Sequence, residues 1–247
     1  MNMEKLRFTF ISIILIFLVD GSSGYAQDQN NTDGFERLYR SAIANSIYPD
    51  NTKISRNLTA INKKNPRLVW KTINNEEYIL VVSWKADTTY YNKTGSNNSG
   101  SREIWVTIVP ELKKVCTREG DKELRLRQRL GLPPDADYKY FVEIWVKPSD
   151  LYRPCPDKEI TDTECQLCFP ANTDSSYIKW FNFNRIDKYY QCNLYNTYPW
   201  TQLGYTYDWN PVNSSHIGLS EFVIGKNKNF MINGFYKTAD YCSKKKQ

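Results

Sequence analysis

The chain has 247 residues, with 33 Lys and Arg against 27 Asp and Glu, 15% aromatic residues and a single histidine. A pI near 8.8 without a clustered basic face leaves no nucleic-acid footprint. One histidine excludes paired-histidine zinc proteases, three-histidine hydrolytic sites and two-histidine facial triads. No Gly-x-Ser-x-Gly elbow or Gly-x-x-x-x-Gly-Lys loop occurs either, so hydrolase elbows and phosphate-loop nucleotide hydrolysis lack support.

In chain order, Lys5 and Arg7 precede an apolar run, 8–19, which is followed by the small polar stretch 21–26. Gly24 and Ala26 supply the small −3 and −1 residues of a cleavage site, so 1–26 is expected to be a removed signal peptide. No later run is long enough to keep the chain inserted in a membrane. The expected location is therefore exported, periplasmic or extracellular. Residues 27–33 contain nothing apolar and are expected to be a flexible linker, leaving 34–247 as a single domain.

Phe35, Leu38, Tyr39, Ala42 and Ile43 recur at helical spacing, predicting a helix that Pro49 stops. A second helix is expected over 52–63, with Ile54, Leu58 and Ile61 on one face and Asn65-Pro66 ending it. Strands are predicted at 67–73 and 77–85 across a short connection, then at 103–109 after a polar loop, 94–101. Asp121 and Gly131 bracket a helix at 121–130, whose Arg125, Arg127 and Arg129 are expected to form one exposed face. The strongest strand is 138–147, which repeats the tetrapeptide of 103–106. A loop region, 148–174, precedes a helix at 175–190 and strands at 203–209, 220–224 and 229–236. Helices and strands do not alternate regularly, which points to an α+β fold: a mostly antiparallel twisted sheet carrying helices, with a disulfide-pinned loop region in the second half.

Cys116, Cys155, Cys165, Cys168, Cys192 and Cys242 form an even set in an exported chain and are expected to be disulfide-bonded. An alternative makes Cys165-Gln166-Leu167-Cys168 a thiol redox pair, or half of a zinc site with Cys155 and Cys192. Asp162 and Glu164 would raise the leading thiol's pKa, and Pro170 blocks a helix after it. Neither a metal nor another cofactor is assigned.

Aromatic residues concentrate between 177 and 209. Regular strand alternation would put Leu203, Tyr205, Tyr207 and Trp209 on one face, which with Trp200 offers rings for stacking on a saccharide or peptide. The same residue types serve equally as core. For catalysis, Asp208, His216, Ser220 and Glu221 supply a carboxylate, a base near neutrality and a hydroxyl nucleophile within a short span. Taken together, the residues favour a non-catalytic exported binding or structural module with an aromatic-rich surface over a hydrolase using His216.

Overall fold

A computed structural model describes residues 22–92, 95–116, 121–193 and 197–243, with side chains from residue 33 onward. Strand β1 (Trp70–Ile73) turns through Asn74 and Asn75, both at positive φ, into β2 (Glu76–Lys85). That two-residue turn matches the right-handed twist of a hairpin, and asparagine tolerates it well. Strands β3 (Ser96–Asn98), β4 (Ile104–Ile108), β5 (Tyr140–Val146), β6 (Leu151–Tyr152), β9 (Phe222–Ile224) and β10 (Asn229–Lys237) complete an antiparallel sheet. Its order is β3-β10-β5-β2-β4-β9-β6, with β1 added beside β2. A separate ribbon pairs β7 (Tyr205–Tyr207) with β8 (Ile217–Ser220). The fold is α+β, as expected.

Both faces of the central strands β2, β4, β5 and β9 are buried. One carries Leu80, Val82, Trp84, Phe141 and Trp145 and is covered by helices α2 (Val109–Cys116), α3 (Lys122–Arg129) and α5 (Thr238–Tyr241). The other carries Ile79, Val81, Val142, Ile144, Phe222 and Ile224. No helix covers that face among its described neighbours; the irregular segment around Ile61 and Leu68, with Leu151 and Ile160, packs there instead. Burying each such side chain contributes about 1.5–3 kcal/mol.

Several expectations are corrected. Residues 52–63 do not form a helix: a 3-10 turn covers Asn51–Lys53 and the rest is irregular. The spacing of Leu58 and Ile61 reflects docking, because their amides donate to Thr163 O and Ile160 O at 2.9 and 2.7 Å. Helix α1 (Ser22–Ser46) runs through 27–33, where a linker was expected. Once the amphipathic stretch from Phe35 nucleates a helix, extending it fixes one residue per added hydrogen bond. Helix α2 has Pro110 in its first turn, where the missing N–H costs nothing. Within the expected polar loop, β3 pairs with β10 and buries Asn97, whose side chain bonds the backbone of Asn92. Helix α4 (Ser175–Phe183) continues as a π-helical stretch, Asn184–Tyr189, close to the predicted end. The repeated tetrapeptides both flank β2, but Val82 faces Thr107 on one side and Glu143 on the other. The repeats are therefore four residues out of step, and shared surroundings rather than equivalent positions account for them.

Two disulfides form, Cys116–Cys242 and Cys155–Cys165. Cys168 and Cys192 are free and exposed, correcting the expectation that all six are bonded. The bridge at Cys155 takes that thiol and Cys165 out of the proposed redox and zinc sets. Alkylation of the folded, unreduced protein should therefore label Cys168 and Cys192 and spare the other four. Mass mapping that finds either free cysteine protected would contradict this pairing.

Candidate functional site

The expected catalytic group does not assemble. Asp208 is fully buried and its carboxylate accepts from Arg125 through both oxygens (2.8 and 2.7 Å), from Arg129 (3.0 Å) and from Asn213 Nδ2 (2.7 Å). Burial pushes this carboxyl up, and the hydrogen bonds and charges of Arg125, Asn213 and Arg129 outweigh it, leaving the pKa below the ordinary carboxylate value. The arginines of α3 are thus not a solvated face: two of the three close onto Asp208. His216 meets the backbone oxygen of Asp208 at 2.9 Å through Nδ1 and stacks on Tyr207. Ser220 Oγ accepts from Thr59 N at 2.8 Å and donates to Glu111 Oε1 at 3.4 Å, so its hydroxyl is engaged by Glu111 rather than by His216.

The aromatic ladder is not a surface. Tyr205, Tyr207 and Trp209 are all buried, and a register shift between Tyr205 and Tyr207 interrupts the alternation on which the shared face depended. Trp209 packs beneath α1 against Phe35 and Tyr39, with its indole donating to Leu132 O at 2.9 Å. Tyr205 and Tyr207 line a small cleft of about 250 Å³ beside His216.

The remaining aromatics frame a different site. A pocket of about 310 Å³ opens on the helix-bearing face of the sheet, between Trp84, Trp105, Tyr189, Trp200 and Glu221. Strand pairing explains who points where. In β9, Phe222 and Ile224 face the other core, so Val223 and the preceding Glu221 face this side, as does Trp105 opposite Val223. The Glu221 backbone is fixed on both sides: its N–H donates to Gly204 O at 2.9 Å, and Ser220 O accepts from Thr107 Oγ1 at 2.8 Å. Tyr189 is delivered by the last residue of the π-helical stretch, a geometry often found at functional sites. Trp105 stands nearly perpendicular to both Tyr189 (79°) and Trp200 (89°), at about 6 Å between ring centres.

Glu221 is set apart by what it lacks. Glu111 accepts from Thr59 and Ser220, and Glu143 accepts from Tyr241 and Asn233 and pairs with Lys113. Glu221 has no side-chain hydrogen bond or ion pair among the described residues, and burial alone pushes its pKa up to about 8. The Trp200 indole N–H, on a residue only 4% exposed, likewise meets no acceptor among the described residues. Lys85 borders the pocket and is held down to about 8 by burial, then by Arg102. Strand alternation puts its side chain with Ile79 and Val81 on the opposite face, so it does not neutralise Glu221.

The chain matches no protein-family model, no curated protein and no solved structure. The site therefore rests on its own geometry. Sequence reading named Glu221 and Trp200 for other reasons and passed over Trp105 and Tyr189. The excess of aromatic residues was the available signal; the missing partner of Glu221 leaves no trace in sequence.

Two stability measurements follow. The folded pKa of Glu221 lies above its ordinary 4.5, so its contribution is whole below pH 4.5 and is lost as pH rises through about 8. Glu221→Gln should remove a loss of about 1.4 kcal/mol per pH unit over that window, making the variant relatively more stable at pH 9 than at pH 4.5 in urea titrations. Asp208→Ala strands two arginines that each keep about a quarter of their side-chain surface. It should cost about 3 kcal/mol in the same assay, the lower end for a broken buried pair. An unchanged urea midpoint would contradict a structural role for Asp208.

Proposed function

We propose that the protein is a non-catalytic exported module that binds a small ligand, a saccharide or peptide fragment, in the pocket at Glu221. The observation carrying this reading is the placement of an unpartnered carboxyl, Glu221, in one cavity with the rings of Trp105, Tyr189 and Trp200. Small-molecule sites share that make-up, mostly apolar walls with few convergent polar groups, and about 310 Å³ falls at the small end of their range. Partly exposed Trp105 and Tyr198 leave the cavity open to solvent. Export is supported by the leader pattern of residues 1–26 together with two disulfides. In addition, no helix of the described residues is long and apolar enough to cross a membrane.

A hydrolytic reading draws support from the raised pKa of Glu221, which suits a general acid. Glycoside cleavage needs a second carboxylate about 5–10 Å away, and Glu221 is the pocket's only carboxyl among the described residues. Binding is the better-supported reading. Titrating saccharide and short-peptide panels against the mature chain should change tryptophan emission, because Trp105 and Trp200 line the cavity. A saturable change that disappears when Trp105 is replaced by Ala places the ligand there. Absence of any response across both panels would overturn the pocket as a binding site.

A further inference from the structure

The unpaired carboxyl defines the chemistry of the ligand more narrowly, if the pocket is a binding site as proposed above. We infer that the cavity accepts an alkylammonium group, with Glu221 as counter-ion and the rings of Trp105, Tyr189 and Trp200 as its walls. A carboxylate among aromatic walls has two routes to electrical balance, taking up a proton or receiving a cation. Lys85 and Lys188 both border the cavity, but neither pairs with Glu221: Lys85 points to the opposite face of β2, and exposed Lys188 lies over the Tyr189 ring at 5.2 Å. Trp105 packs edge-to-face on Tyr189 and Trp200, and this aromatic cluster borders the cavity with ring surface of the kind that attracts organic cations. Such attraction grows when the cation is desolvated, as it is inside a cavity whose walls include Trp200 and Tyr189, both less than a tenth exposed. A neutral sugar would leave Glu221 only the first of these routes, uptake of a proton.

The test uses choline, which joins an ammonium to a nearby oxygen, and its neutral isostere 3,3-dimethylbutan-1-ol, titrated calorimetrically into the mature chain at pH 7.5. Choline should bind at least tenfold more tightly than the isostere. Glu221→Gln should weaken choline at least tenfold and leave the isostere unchanged, and its thermal melt at the same pH reports that it is folded. Equal binding of the two probes, or choline affinity indifferent to Glu221→Gln, overturns the cation reading and leaves the pocket standing as a binding site. If neither probe binds, the cation reading falls, and the saccharide and peptide panels decide separately whether the pocket binds anything.

Discussion

Arg153 holds together the parts of this protein that have no regular structure. Its side chain is completely buried, and its guanidinium donates to the Asp162 carboxylate at 2.7 Å and to the backbone oxygens of Glu164, Asp162 and Thr59 at 2.9, 2.9 and 3.3 Å. Removing a charge from water costs several kcal/mol unless its donors are answered, and four acceptors from two loops answer the two terminal nitrogens, leaving Nε without a partner among the described residues. The planar fork of arginine reaches those acceptors at once, which a lysine ammonium would not. Gly204 completes the seat: a Cβ there would come within 2.6 Å of the Arg153 side chain. Since Gly204 O also receives the Glu221 N–H, the pocket's carboxyl is located by the same packing.

The regular framework was legible because local chemistry and tertiary environment agree there. Asp121 caps α3 by accepting from Leu124 N at 3.0 Å, and Gly131 follows at φ +64°, so both ends were marked in sequence. In β5 the apolar alternation survives even though both faces are buried, with Glu143 accommodated by Tyr241 and Asn233. Leu58 and Ile61 misled for the opposite reason. Their partners lie about a hundred residues away at 160–163, and no local pattern reports such a pairing. The same holds for β3, whose serine and asparagines are strand residues only because β10 lies beside them.

The site was harder to read than the fold. Composition marked an aromatic surplus, but placing rings on faces assumed an uninterrupted strand at 203–209, and the irregular pairing of Tyr205–Tyr207 broke that assumption. Three buried or half-buried glutamates, 111, 143 and 221, look alike in sequence. What separates them is whether hydroxyls, amides and an ammonium converge on each, and that convergence is built from residues far apart in the chain. Asp208 shows the converse. It resembles a catalytic acid beside a lone histidine and is the anchor for two arginines of α3.

The last strand, β10, lies between β3 and β5 in the interior of the sheet. A chain emerging from its N-terminus therefore presents β3 and β5 as two open edges, with no partner for either along that seam until residues 229–237 arrive. Cys242, which joins the far C-terminal turn to α2 across a separation of 126 residues, comes later still. Unpaired edges are templates for wrong pairing, and contacts this distant in sequence form slowly. The topology thus ties completion of the sheet to delivery of residues 229–237: whatever shields β3 and β5 must act until that strand has been made.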